Sequence, residues 1–328
     1  GRTPGGRFVL PVRTVVRPGV NTPNYHSPLL FLIYINDLPD VVNHCKVDLF
    51  ADDAKISKSG GSSALVSTDV SAGVHSFGMW CDLWQLGIHP DKCNAMHVGG
   101  GNLPAYFING TQIGVVDQVK DLGIWFSNSL SFKYHIERLA SNGLRIIGNI
   151  LRAFVCRDKD FMVKIFVSRI RPLLEYNCEV WSPTALTEID RIESVQRYFT
   201  KRIIGIQQLP YAERLTVCEL EPLELRRLKR DLILVYKIVH RLVGLSFDKF
   251  FEYAPSQGFT RGHIYKLYPQ RVRTSRLLNS FAYRVVNLWN GLPPHVVGAE
   301  SLGLFKRRLN AISNQLVPAL RGRAIRSQ

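Results

Sequence analysis

The hydrophobic period of this chain changes once, near Ser131, and that change limits the fold more than any other feature. Before it, short apolar runs are separated by turn-forming residues, the pattern of strands and hairpins. Phe8 to Val16 reads as a strand stopped by Pro18-Gly19. Val47 to Ala51 and Ala54 to Ser57 read as two strands joined at Asp52-Asp53, and Cys93 to Val98 as another. Tyr106 to Ile113 forms a hairpin turning on Asn109-Gly110, the preferred two-residue turn. Val119 to Phe126 returns as one strand. Two helices interrupt this region: a short buried one over Leu29 to Ile35, framed by Pro28 and Pro39, and a longer one over Ser63 to Leu86, weakened by Gly73 and Gly78.

Beyond Ser131 the period is helical. Phe132 to Phe154 and Asp158 to Tyr176 are long helical stretches. Ile189, Ile192, Val195, Phe199 and Ile203 form an apolar stripe over Glu188 to Ile204. Leu225, Leu228, Leu232, Val235, Val239 and Leu242 form a second. Its spacing also suits a coiled coil, but it lasts under three heptads, so a packed bundle helix is expected. The pattern is lost between Asp248 and Leu278, resumes over Ser280 to Trp289 and Leu302 to Leu316, and ends in a basic tail after Pro318 that should fray. The fold class is therefore α+β, in three segments: 1–130, 131–245 and 246–328.

Charge divides at the same place. The 328 residues carry a formal net charge of +16, and apolar residues make up 46%, enough to build a core and too many for a disordered chain. Residues 1–150 hold 12 basic and 11 acidic side chains, whereas residues 151–328 hold 30 and 15. The near-neutral first part needs no polyanion; the second invites one, nucleic acid or an acidic membrane surface. No apolar run reaches the roughly 18 residues of a membrane span, and no secretory leader is visible. Gly1 at the start fits a processed product or a piece of a longer one. Six dispersed cysteines without a CxxC pair fit a reducing intracellular compartment, nucleus or cytoplasm. Cys81, His89, Cys93 and His97 could suggest zinc, but Pro90 and the strand character of Cys93 to Val98 break a shared helical face. Separately buried thiols are expected there.

The sharpest chemical feature is Phe50-Ala51-Asp52-Asp53. Two adjacent acids in a tight turn between strands hold carboxylate oxygens rigidly, as oxygen-seeking Mg²⁺ requires, and two-metal phosphoryl transfer needs such acids. A solvated Asp-Asp turn is the simpler reading of the dipeptide alone. The apolar strand Val47 to Ala51, by burying the element that presents the acids, shifts the balance toward function.

Leu49-Phe50-Ala51-Asp52-Asp53 resembles the catalytic box of reverse transcriptases from non-LTR retrotransposons, the LINE-type and jockey-like transposable elements. Pro28-Leu29-Leu30-Phe31-Leu32-Ile33-Tyr34-Ile35-Asn36-Asp37-Leu38-Pro39 is similar to the segment after that family's template-handling Gly motif. Leu86-Gly87-Ile88-His89-Pro90-Asp91-Lys92-Cys93 resembles the motif whose lysine lies near the incoming nucleotide, and Val119-Lys120-Asp121-Leu122-Gly123-Ile124 the next palm strand, near the primer grip. Further matches are Arg171-Pro172-Leu173-Leu174-Glu175-Tyr176, Val180-Trp181-Ser182-Pro183, Ile192-Glu193-Ser194-Val195-Gln196-Arg197, Glu224-Leu225-Arg226-Arg227-Leu228 and Trp289-Asn290-Gly291-Leu292-Pro293. Each is weak alone; their order and spacing over residues 17–310 are specific.

The resemblance implies the second half of a right-hand polymerase palm over residues 1–130, a helical thumb and post-thumb region over 131–245, and a basic C-terminal region over 246–328. It implies an RNA-directed DNA polymerase, a nucleotidyltransferase that joins a deoxynucleotide triphosphate to a primer 3′-OH on an RNA template with Mg²⁺. Asp52 is then the main metal ligand, Asp53 its neighbour, and Lys92 the residue that assists the pyrophosphate leaving group. Two departures count against activity of this chain alone. The family places another metal-binding Asp upstream of the Gly motif, and residues 1–18 contain no Asp or Glu. The motif itself reads Gly19-Val20-Asn21-Thr22-Pro23-Asn24-Tyr25-His26-Ser27-Pro28, with Pro23 where the family has a flexible Gly. A degraded or truncated element product, inactive by itself, is the expectation; a non-catalytic remnant that binds RNA or an RNA–DNA hybrid is the alternative.

The cations expected to bind nucleic acid form three patches, to which Lys306-Arg307-Arg308 adds another. Arg191, Arg197, Lys201 and Arg202 lie off the first apolar stripe; Arg226, Arg227, Lys229 and Arg230 cluster on the second helix. Arg261, Lys266, Arg271 and Arg273 interleave with Tyr265 and Tyr268, an arrangement suited to single strands.

Overall fold

A computed structural model of the protein describes residues 7–13, 27–60, 62–99, 104–255, 263–271, 274, 277, 279–313 and 316. The Gly motif at 19–26, Arg261, Arg273 and the tail after Pro318 lie outside them. The chain is α+β and divides into two units, Gly1–Phe132 and Lys133–Gln328.

The first unit is built on a sheet of six strands. They are β1 (Arg7–Arg13), β2 (Lys46–Phe50), β3 (Asp53–Ser59), β4 (Asn94–Val98), β5 (Tyr106–Ile108) and β6 (Thr111–Val115), in the order β2-β3-β1-β4-β6-β5. All neighbours are antiparallel except β4 and β6. Two helices precede β2: α1 (Ser27–Tyr34) and the single turn α2 (Leu38–Val41). Helix α3 (Ser63–Leu83) starts where the Ser62 side chain accepts a hydrogen bond from the Leu65 amide, and buries Val66, Val70, Val74, Phe77 and Trp80. Those side chains share one core with Ile56, Ala95, Tyr106, Ile108 and Ile113 of the strands. Burying one such large apolar side chain stabilises by roughly 1.5–3 kcal/mol.

The hairpin β5–β6 pairs Ile108 with Thr111, leaving Asn109 and Gly110 as the loop, both with positive φ (48° and 78°). Its tip docks on α3. A Cβ on Gly78 would stand 2.8 Å from Asn109 Oδ1, and the Asn109 amide donates to Asp82 at 2.9 Å. Gly78 is thus a point of close approach rather than a weak point in the helix.

Two expectations change here. The apolar run after Pro28 is helical, as α1, but it is not buried: Leu29, Leu30, Leu32 and Ile33 are exposed. A helix apolar on all sides hides only the face it turns to a neighbour. In α1 that face is Phe31 and Tyr34, followed by Ile35, packed against the α3–sheet core. Residues 119–126 form a second hairpin, β7 (Gln118–Asp121) and β8 (Ile124–Ser127), not one strand. Leu122 and Gly123 take φ of 44° and 89° and reverse the chain in two residues.

The second unit is helical. It contains α4 (Lys133–Ala153), α5 (Lys159–Ile165), α6 (Arg171–Glu175), α7 (Cys178–Trp181), α8 (Leu186–Thr200), α9 (Tyr211–Val217) and α10 (Leu223–Val239), followed by short helices at Phe281–Arg284, Val286–Asn290 and Pro294–Val297 and one at Leu302–Ala311. Helices α5 and α6 are one rod interrupted by a π turn, Phe166–Ile170, where Pro172 brings no N–H to the ladder. Both expected stripes point inward. Ile192, Val195, Phe199 and Ile203 are buried, as are Leu225, Leu228, Leu232, Val235 and Val239; Leu242 lies past the helix end and is exposed. The α10 stripe shares a core with Phe251, Leu267, Trp289, Phe305 and Leu309, so a single core spans the expected division at residue 246. No described helix is long and apolar enough to cross a membrane.

Replacing Gly110 by Ala puts a Cβ on a left-handed residue, with nothing within 4 Å to relieve or worsen it. The expected cost is about 1 kcal/mol of unfolding free energy, read as a lower urea midpoint with unchanged slope.

Candidate functional site

Strands β2 and β3 pair with Phe50 opposite Asp53, so Ala51 and Asp52 are the two loop residues, Ala51 at φ 50°. Asp52 is exposed at the tip and Asp53 is half-buried at the start of β3. The support comes from β3, whose Ala54 and Ile56 are buried. β2 contributes less than expected, with Val47 and Leu49 packed half-buried against the same core. That strand ends the order of the sheet, is at most half-buried, and leaves Phe50 63% exposed.

Across the sheet, Asp53 is in register with Arg13 of β1, and the β1 sequence from Arg7 to Arg13 contains no carboxylate. Among the described residues, no group of three or more His, Cys, Asp or Glu could hold a metal ion. Two adjacent carboxylates on one hairpin do not make a two-ion site, because each ion needs ligands from more than one side. The described residues therefore do not fit a Mg²⁺ pair.

Lys92 ends a single 3₁₀ turn, Pro90–Lys92, ahead of β4. Its side chain is exposed and makes no hydrogen bond or ion pair among the described residues, so nothing ties it to the acids. Two other carboxylates reach β3: Asp121 at the end of β7 accepts from Lys55 Nζ at 2.8 Å, and Asp69 of α3 pairs with Lys58 at 2.9 Å. Sequence reasoning assigned Asp121 no partner.

Cys81 and Cys93 are each buried, and burial pushes the Cys81 thiol up to about 12. The Cys93 thiol donates to the His89 carbonyl at 3.3 Å.

The basic patches separate into two kinds. On α8, Arg191 pairs with Glu137 at 2.8 Å and Arg197 with Asp190 at 2.6 Å, whereas Lys201 and Arg202 are exposed, Arg202 lying over the Tyr198 ring. The expected exposed cluster on α10 is instead an internal network. Arg226 grips Glu175 with two nitrogens, Lys229 pairs with Glu221, and Arg230 pairs with Glu179 at 3.0 Å. Arg227 is only 1% exposed. Its guanidinium nitrogens have no hydrogen-bond partner among the described residues, and burial lowers its proton affinity, partly offset by Glu193. The physical reason for this correction is that α10 is covered on several sides, so Arg226, Lys229 and Arg230 meet protein acids and Arg227 is shut off from solvent. Of the remaining patch, Lys266 is half-buried and Arg271 exposed.

The acids that organise this unit were not foreseen as functional. Glu193 is buried on α8, accepts from the Tyr211 hydroxyl, and accepts the Leu223 amide at 3.0 Å. A carboxylate thus sits at the first turn of α10, where it stabilises the helix dipole. It also drives the Tyr211 hydroxyl pKa upward, after burial as the larger cause. Gln196, one turn along, donates to the Glu221 carbonyl at 3.0 Å. The available signal was position: Glu193 directly follows Ile192 of the buried stripe.

Comparison with known proteins points one way. No protein-family model matches the chain. The RNA-directed DNA polymerase from mobile element jockey of Drosophila melanogaster is 23% identical over 202 residues, 58% of this chain and 22% of that protein. Its counterpart from Drosophila funebris is 23% identical over 206 residues, with the same coverage. The probable RNA-directed DNA polymerase from transposon X-element of D. melanogaster is 22% identical over 201 residues. This chain is a relative of the jockey-type polymerases. It spans about a fifth of the length of these jockey-type relatives, 22% in each case.

Two measurements check the network. Arg284 binds Asp231 through two nitrogens at 2.8 and 2.9 Å, both side chains nearly buried. Asp231→Ala should cost about 3–5 kcal/mol in chemical denaturation, against about 1 kcal/mol or less for Asp190→Ala at the exposed pair with Arg197. Burial also pushes the imidazole pKa values of His240 and His263 down. The unfolded chain then binds more protons below about pH 6.5, so stability is lost as pH falls through that value. The thermal midpoint should drop between pH 7.5 and 5.5, and drop less in His263→Gln.

Proposed function

We propose that this chain is the palm-to-thumb portion of an RNA-directed DNA polymerase of a jockey-like retrotransposon, and that by itself it holds an RNA–DNA hybrid without extending the primer. The observation that carries this reading is the 202-residue match to the jockey polymerase, in a chain whose paired acids stand on a two-residue hairpin loop. The first unit is then the palm remnant, and the second the thumb with its post-thumb helices.

In such a polymerase a primer 3′-OH would attack the α-phosphate of a deoxynucleotide and release pyrophosphate, and Mg²⁺, when bound, would supply stabilisation of the developing charge. Asp52 and Asp53 are the ligands this chain offers, and the rest of the set is not among the described residues. Lys92, exposed and without an ion pair among the described residues, is free to meet a pyrophosphate group. Lys201, Arg202 and Arg271, exposed in the second unit, suit phosphate contacts. Arg226, Lys229 and Arg230 are less suited to that role, since protein acids engage them, and Arg227 is shut off from solvent.

The test incubates the full chain with poly(rA)–oligo(dT), Mg²⁺ and dTTP. Retention of the hybrid at low salt without primer extension is expected. Extension that disappears in Asp52→Ala would overturn the inactivity, and failure to retain the hybrid at low salt would overturn the grip.

A further inference from the structure

In the second unit, a cavity of about 90 Å³ is lined by Phe250, Glu252, Tyr268 and Tyr283, with the buried Phe251 and Val286 behind them. Two extended segments and two short helices build it. Tyr253 and Leu267 form an antiparallel bridge, and the Tyr268 amide donates to the Glu252 carbonyl at 2.7 Å. Glu252 and Tyr268 are therefore opposite each other, with their side chains on one face. Leu267, on the other face, is buried, and the Asn290 side chain clamps its N–H and C=O at 2.8 and 2.7 Å. The helices Phe281–Arg284 and Val286–Asn290 bring Tyr283 and Val286. The Tyr283 hydroxyl donates to Gln270 Oε1 at 3.1 Å, which orients its ring.

The lining combines aromatic faces with one carboxylate. Among the described residues no Lys, Arg or His lines the cavity. Glu252 is exposed, and its side chain makes no hydrogen bond or ion pair among the described residues. Neither Tyr268 nor Tyr283 has a ring or a cation stacked on it among those residues. Elsewhere in the unit the chain supplies its own cations to such rings: Arg202 lies over Tyr198, and Arg197 over Tyr211.

We propose that this cavity is an aromatic cage for the methylated ammonium head of a lysine on another protein. Phe250, Tyr268 and Tyr283 supply ring faces, and Glu252 the opposite charge. A ring face attracts a cation through its quadrupole, and a carboxylate alongside adds a Coulombic attraction. Methylation spreads the charge over an apolar, weakly hydrated head, so that head loses little on leaving water. Size selects the same group. An apolar cavity of about 150 Å³ takes benzene. One of about 90 Å³ is too small for an aromatic ring, a nucleobase included, and has room for an ammonium head. The exposed Tyr268 stands where the cavity meets solvent, so a lysine stem can enter from outside. The inference is independent of the polymerase reading and moves Tyr268 from base stacking to cation binding.

The experiment titrates the full chain, without nucleic acid, into a fluorescent peptide that bears one trimethyllysine and is otherwise uncharged, and reads anisotropy. Binding should be about tenfold tighter than that of the same peptide carrying the neutral tert-butyl isostere of trimethyllysine. Tyr268→Ala and Glu252→Gln should each weaken it several-fold, and Tyr268→Phe should preserve it. Circular dichroism melts check that the three variants fold. No binding of the trimethylated peptide, equal binding of the neutral isostere or of the unmethylated peptide, or unchanged affinity in Tyr268→Ala would overturn the cage. Choline bound as tightly as the peptide would overturn lysine as the source of the ammonium head.

Discussion

The charges that helix α10 carries into the second unit are, Arg227 excepted, neutralised by protein acids. Charged side chains can be covered by protein only where partners replace water. Glu175, Glu179 and Glu221 supply those partners for Arg226, Arg230 and Lys229, and Asp231 answers Arg284 from a later helix. Glu193 does the same for the amide end of the helix through Leu223. With these acids in place, one face of α10 carries the apolar stripe and the others carry ion pairs. That double attachment lets residues 225–316 share a core.

This changes the meaning of the charge excess. The second part of the chain has 30 basic and 15 acidic residues after position 150, and its acids are concentrated where they hold α8 and α10. Net charge by segment therefore overstates what α10 can offer a partner. The relevant quantity is the set of cations whose charge no nearby carboxylate cancels, which only the packing defines.

Much of the fold was legible. Stripes at helical spacing located α8 and α10, and Asn109-Gly110 located a hairpin, because these signals are local and each has one physical reading. The β7–β8 hairpin was missed since Leu122 gives no turn signal; Gly123 alone supplies the easy left-handed position. The burial of α1 was misjudged because an all-apolar run says how much surface could be hidden, not how many neighbours exist to hide it. For the site, Asp52 and Asp53 were readable as a paired-acid turn, but their surroundings were not. Register across the sheet set Arg13, rather than an acid, opposite Asp53. Likewise the fates of Arg226 and Arg230 depended on Glu175 and Glu179, acids distant in sequence.

The π turn at Phe166–Ile170 explains an otherwise odd pattern. Met162, Phe166, Ile170 and Leu174 are all fully buried, one every four residues along the rod. In an unbroken α-helix each step of four overshoots a full turn by about 40°, so such a row would wind around to the solvent side within three steps. The wider π turn rotates less per residue and takes back that overshoot. It acts as a phase correction, turning Leu174 and Glu175 toward the interior, where Glu175 can meet Arg226. The ion network of α10 thus depends on a change of winding more than fifty residues earlier in the chain.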